Sequence, residues 1–213
     1  MTQTKSTTTE DTLSLSIEET YRRLPALNLI KDDDIRSEVA RLSAGAPKYF
    51  WVVSAASPTS EYHHPVCRNK HGLWAHTLML LAPLCRLASS YQAQGRISNK
   101  EFDYAIAAAI LHDQRKRGYQ DNPQKSSTAD HDLQMAKVIK EESSLPHAIA
   151  DAVATHMGPT EWGYEGPEPQ TDLQDLVHEA DMLASTKNAD LKIPGPVPRE
   201  LSERGLEEGS FHS

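Results

Sequence analysis

The chain has 213 residues, enough for one good-sized domain with irregular ends and short for two, and its 38% hydrophobic content implies that part of the length is solvated tail. A formal charge of −8 argues against a nucleic-acid grip spread over the surface, so stable duplex binding is not expected and a small anionic substrate needs a local cation or metal. No apolar run suits a membrane helix, MTQTKSTTTEDT has no secretory core, and Cys67 and Cys85 make no disulfide framework, so a cytoplasmic location is expected.

Residues 1–15 are Ser/Thr-rich and without period, which reads as a disordered tail. Short amphipathic helices are predicted at 16–24 and 33–44, the second with Ile35, Val39 and Leu42 on one face. Tyr49-Phe50-Trp51-Val52-Val53 is an aromatic and β-branched run that fits a short strand or an extended segment. A helix over 72–92 carries leucines at three- and four-residue spacing, with a kink at Pro83. Ser98-Asn99-Lys100-Glu101 is a capping-box start for an Ala-rich helix ending at Leu111-His112-Asp113. Residues 114–127 read as a charged loop. A third core helix covers about 128–142, with Leu133, Ala136 and Ile139 inward, and a fourth runs from near Ser144 to His156, with Pro146 in its first turn. Thr171 starts a fifth, whose stripe is Leu173, Leu176, Ala180 and Leu183. The Pro-containing stretch from 188 to 213 reads as a tail or an arm against a neighbour. The expected fold is all-α: a single helical domain over 16–188, five core helices with additional N-terminal helices, and irregular tails.

Histidine stands out, with ten in the chain. His112 and Asp113 end a very apolar helix, where an imidazole and a carboxylate are costly to bury unless paired or metal-bound. His76 sits in a leucine-rich helix, His131 begins the third, His156 ends an apolar stripe, and Asp181 lies among Ala and Leu. Any one of these alone reads more simply as a hydrogen-bonded core residue or a surface carboxylate. Together they place one ligand-type side chain on each of five consecutive helices, with a doublet on one. Nitrogen and carboxylate oxygen together suit a transition metal or Mg²⁺. The run Arg115-Lys116-Arg117 beside the doublet reads either as a local anion site or as a solvated loop. Tyr62-His63-His64-Pro65 could face substrate over the metal; its spacing to Cys67 and Cys85 is wrong for a zinc knuckle. His178, one turn before Asp181, reads as a surface histidine or as one that orients a ligand from behind.

Gly72-Leu73-Trp74-Ala75-His76-Thr77, Leu111-His112-Asp113-Gln114-Arg115-Lys116, His131-Asp132-Leu133, Val153-Ala154-Thr155-His156 and Glu179-Ala180-Asp181 follow in order along the chain. In that order and spacing the sequence resembles the HD superfamily of metal-dependent phosphohydrolases over about residues 62–188. The resemblance implies that His76, His112, Asp113 and Asp181 bind one divalent ion (Mn, Mg, Ni, Fe or Zn). It also implies that His131 and His156 join Asp113 around a second. It further implies cleavage of a phosphate ester or phosphodiester by activated water, with Asp113 orienting the water and Lys116 offsetting charge on the phosphate. Arg115, Lys116, His63 and His64 are the expected substrate contacts, and a nucleotide or short oligonucleotide is the expected substrate. Gln114 and Arg115 depart from the small or apolar residues usual between the doublet and its lysine. Two alternatives remain open in the sequence: a di-iron oxygenase of a small organic substrate, and a nucleotide-binding sensor without catalysis. Oligomeric state is also open, with the 188–213 arm and the Trp51 region as candidate contacts of a homo-oligomer.

Overall fold

The computed structural model describes residues 14–56, 60, 62–119, 127–160 and 163–210, so the expected polar tail at 1–13 and part of the 114–127 loop lie outside the described residues. The architecture is all-α with one two-stranded sheet. Helix α1 (Ile17–Arg23) starts on Ser16, whose side chain accepts from the Glu19 amide, and α2 (Asp33–Ala44) starts on Asp32 in the same way. Both caps satisfy amides that a helix start leaves unpaired. Between them Asp103, buried, accepts from the amides of Lys31 and Asp32 and fixes where the chain turns into α2.

The aromatic run at 49–53 is not a strand. It forms a short helix, α3 (Lys48–Val52), entered from Pro47. Five residues are too few for periodicity to separate helix from strand, and tertiary packing decides: Phe50 and Trp51 are fully buried, and Trp51 meets Trp74 edge to face at 5.7 Å. The Arg23 guanidinium lies 5.3 Å and 5.4 Å from the two indole rings, a cation–π clamp from α1. Trp51 is therefore a core residue.

Helix α4 (Gly72–Ala93) continues through Pro83. Glycine is required at its first residue because a Cβ there would lie 2.0 Å from the Cys67 carbonyl oxygen, where the turn at Pro65–Arg68 crosses the helix start. Helix α5 (Asn99–Leu111) has both halves of the capping box formed between Ser98 and Glu101. Ser98→Ala is expected to cost about 1 kcal/mol, read as a small drop in urea midpoint with unchanged helix content. From Asp103 onward α5 is buried on all sides, as a helix apolar all round must be. It packs against α2, α4, α7 and α8, and its run of alanines lets these neighbours come close. The doublet at its end therefore emerges where the other helices converge.

Helix α6 (His131–Glu142) packs along α7 (His147–Ala154), and α8 (Asp172–Ala184) lies against α4. Two inward assignments from the sequence fail. Leu133 is 45% exposed because the buried face of α6 runs through His131, Met135, Val138 and Ile139, and Leu183 is 49% exposed because the stripe of α8 closes on Ala184 instead. Pro146 precedes the first residue of α7, and His156 lies just beyond its end.

The stretch from 188 is not a free arm. Strands β1 (Lys192–Pro194) and β2 (Glu207–Gly209) pair in parallel around α9 (Arg199–Ser202), and Ile193, Leu201 and Leu206 join the main core. Strand β1 lies on α4, while Arg86–Asp190 and Arg22–Glu200 ion pairs at 2.5 Å and 3.0 Å tie the segment to α4 and α1.

Candidate metal centre

The helices bring His76, His112, Asp113, His131, His156 and Asp181 into one buried cluster, each at most 6% exposed. Histidine rings run edge to face from His63 through His76, His112 and His156 to His131, with successive centroids 4.9–5.5 Å apart. Two groups stand out among the described residues, each with its ligand atoms within 4.8 Å of one another: His76, His112 and Asp113, and Asp113, His131 and His156. Asp113 belongs to both. Asp181 closes the first, with Oδ1 2.9 Å from His76 Nε2 and 3.8 Å from His112 Nε2.

Local backbone geometry orients three of the imidazoles. His112, His131 and His156 each place Nδ1 2.7–2.9 Å from the carbonyl oxygen three residues earlier, those of Ala109, Thr128 and Val153. A carbonyl only accepts, so Nδ1 carries the proton and, in the neutral ring, the Nε2 lone pair points into the cluster. This is the arrangement that a metal-ligating histidine needs. Behind His156, the His178 ring donates from Nδ1 to the His156 carbonyl at 2.8 Å, so His178 is a buttress and not a bystander.

The electrostatics call for a cation. His112 Nε2, His131 Nε2, His76 Nδ1 and Asp113 Oδ1 are buried without a hydrogen-bond partner; Asp113 Oδ1 and His131 Nε2 are 3.1 Å apart but lack hydrogen-bond geometry. Buried polar atoms are normally satisfied, and orphans clustered around two carboxylates fit a missing positive charge. Burial pulls the His112 imidazolium down, but Asp113 and Asp181 outweigh it, and the ring's pKa rises. Burial also pushes the two carboxyls up, yet Lys116 and His112 beside Asp113, and His76 beside Asp181, hold both below the usual carboxylate range. The residues therefore fit one divalent ion, and the shared Asp113 fits a second. Burial, with the neighbouring His112, lowers His156 to about 3, which keeps it neutral and able to ligate.

That depression sets a pH prediction for the metal-free protein. An unfolded histidine takes up a proton near 6.5, whereas folded His156 resists one down to about 3. The unfolded state thus binds more protons in this window, and stability falls as pH is lowered. His112, with its raised pKa, is protonated in both states below about 6 and adds no slope there. The urea midpoint is expected to fall between pH 5.5 and 4.5, and less so in His156→Gln. A midpoint that stays level would contradict a buried neutral His156.

The remaining sequence candidates divide. Lys116 is at the cluster: its Nζ lies 2.6 Å from Asp113 Oδ2 with the side chain 13% exposed. His63 is there too, its ring 5.3 Å from His76 and Nε2 3.5 Å from Ser185 Oγ. His64 is turned to a local task, accepting from the Val66 amide to cap the 65–68 turn. Arg115 is not brought to the cluster; it lines a cavity of about 90 Å³ between α2 and α6, and its guanidinium sits 5.6 Å from the Tyr119 ring. Gln114 explains that rotation. It is buried and donates to Ser43 Oγ and the Ile110 carbonyl, which anchors the turn to α2 and sends its neighbours to opposite sides. A cavity of about 620 Å³ lies elsewhere, between α4, the end of α8 and the 188–192 segment, lined among others by Met79, Pro83, Arg86, Thr186, Asp190 and Lys192 and by none of the clustered residues.

The HD domain family matches residues 73–186, more than half of the chain and all six clustered positions. The chain belongs to the HD domain family. That family is generally one of metal-dependent phosphohydrolases. No curated protein and no solved structure gives a match. Among the described residues, no helix of this HD domain protein is long and apolar enough to cross a membrane.

Proposed function

We propose that this HD domain protein hydrolyses a phosphate ester or phosphodiester, with a nucleotide or short oligonucleotide as substrate. His76, His112, Asp113 and Asp181 would hold the first divalent ion, and Asp113, His131 and His156 the second. A divalent ion supplies the nucleophile by lowering the pKa of water, and polarises a phosphoryl oxygen. The chain's own residues do the rest. The Nδ1 bonds of His112, His131 and His156 hold the rings in one orientation, so no reorganisation is needed during reaction. Asp113, kept ionised by Lys116 and His112, can orient water from a fixed position. Lys116 offsets negative charge as it builds on the phosphate.

Lys116 is the observation that carries the phosphate reading: a cation 2.6 Å from the shared carboxylate, in a globally acidic chain. His63, its ring 5.3 Å from that of His76, is the second candidate for substrate contact. The test is elemental analysis of the purified protein together with release of nitrophenol from bis(p-nitrophenyl) phosphate. Metal-free protein that stays inactive after Mn²⁺ or Ni²⁺ is added overturns the reading. The complete pair of ligand groups supports a second reading, a di-iron oxygenase. Bound iron with substrate-dependent oxygen uptake and no phosphodiester cleavage would select it.

A further inference from the structure

The ion-pair and hydrogen-bond network behind His131 contains a residue that the sequence did not mark. Helix α6 begins at His131 without a side-chain cap, because Asp130 makes no capping bond. A helix start left in this way frays unless something else holds it. Asp132, the next residue, is fully buried, and its two carboxylate oxygens each lie 2.6 Å from the Tyr164 hydroxyl. Asp132 Oδ1 also accepts from the Leu133 amide, so the carboxylate faces the first turn of α6 from below while Tyr164 holds it from outside.

Tyr164 is itself held rigidly. Its amide donates to Thr160 Oγ1, its carbonyl accepts from the Thr160 amide, and Pro159 bridges to Glu165. Gly166 is closed against this turn: a Cβ there would lie 2.4 Å from the Tyr164 ring and 2.8 Å from the Gly158 oxygen. Gly158, at a positive φ of 58°, is in turn packed on His178, where a Cβ would lie 2.9 Å from the imidazole. The His178 ring bonds the His156 carbonyl. The described residues on either side of 161–162 are therefore pinned to α8 through His178 and to α6 through Asp132.

We infer that Tyr164, acting through Asp132, is a positioning residue for the second ion, setting His131 against His156 and Asp113 by fixing the first turn of α6. It touches none of the atoms that would hold the ion. His76 and Asp181, on α4 and α8, do not depend on this contact, so its loss should fall on one group and not on the other. The inference rests on the reading of Asp113, His131 and His156 as a second ion's ligands.

The test is Mn²⁺ binding by equilibrium dialysis, with electron paramagnetic resonance to detect spin coupling between paired ions. Wild-type protein is expected to take up two Mn²⁺ and show the coupled signal. Tyr164→Phe, which removes one hydroxyl, is expected to weaken the second Mn²⁺ about tenfold to a hundredfold, the range for losing a partner behind a ligand. The first Mn²⁺ should bind as before, with an uncoupled signal. Asp132→Asn should give the same selective loss. Two ions bound with wild-type affinities in Tyr164→Phe, or both weakened equally, would overturn the inference. One ion in the wild type would overturn it too while leaving the hydrolase reading standing. No uptake at all by the wild type would remove both.

Discussion

Asp113→Ala is expected to abolish divalent-metal uptake and to lower phosphodiester cleavage by more than about a hundredfold, the loss already typical of removing a group behind a ligand. Among the described residues Asp113 is the one side chain shared by both ligand groups, so its substitution removes an oxygen from each. It also neutralises its surroundings: Lys116 sits 2.6 Å from one oxygen, and His112 Nε2 3.5 Å from the same atom. Without it the largely buried Lys116 ammonium loses its carboxylate partner. Helix content should nevertheless persist, because α5 is held by the Ala, Ile and Leu side chains between Asp103 and Leu111. Circular dichroism on the same sample separates loss of the site from loss of the fold. Asp113→Asn keeps the shape and removes the charge; it should bind metal as poorly as the alanine variant if charge is what the ion requires. Near-wild-type turnover in either variant is incompatible with the assigned centre.

The helices that carry the site were legible because their signals are local. The capping box at Ser98, the leucine spacing of α4 and the Thr171 start of α8 all depend on residues within one or two turns. What escaped was decided by contacts distant in sequence. Tyr49 to Val53 has strand-like composition, yet Trp51 becomes helical because its indole packs between Arg23 and Trp74. Leu133 and Leu183 are as apolar as their buried neighbours, and only the neighbouring helices decide which face is covered. The segment after residue 188 has a polar, proline-rich composition, but Ile193, Leu201 and Leu206 complete the core.

The site divides in the same way. Its six clustered residues could be read because each falls on or beside a helix with a strong apolar pattern, where a polar side chain is conspicuous. Arg115 and Lys116 are alike in sequence and adjacent, and nothing in the sequence says that buried Gln114 turns one toward Asp113 and the other toward α2. His64 and His63 separate for a similar reason: one caps a turn and the other meets His76. Tyr164 lies in a stretch without period, and its link to Asp132 spans 32 positions, so no spacing rule reaches it.

Saturating divalent metal should raise the melting temperature by about 5–10 °C, and chelation should reverse the rise. An ion at a hundred times its dissociation constant stabilises the folded state by about 2.7 kcal/mol, and each kcal/mol is worth about 2–4 °C in a domain of this size. The structure explains why the gain is open to the ion. His112 Nε2, His131 Nε2 and Asp113 Oδ1 are buried and unsatisfied, Asp113 and Asp181 are ionised within the core, and His112 is drawn toward protonation to balance them. Ions in the two groups would together satisfy these atoms, and the one at His112 would release that proton. The rise should therefore shrink as pH falls below about 6, where protons compete for the imidazoles. His131→Ala should keep the part of the rise that belongs to the first group, whereas Asp113→Ala should lose it entirely. A melting temperature that stays fixed across Mn²⁺, Ni²⁺ and Fe²⁺ at millimolar concentration would mean that the buried carboxylates and imidazoles are a structural network, balanced by Lys116 and a proton on His112 and by nothing else.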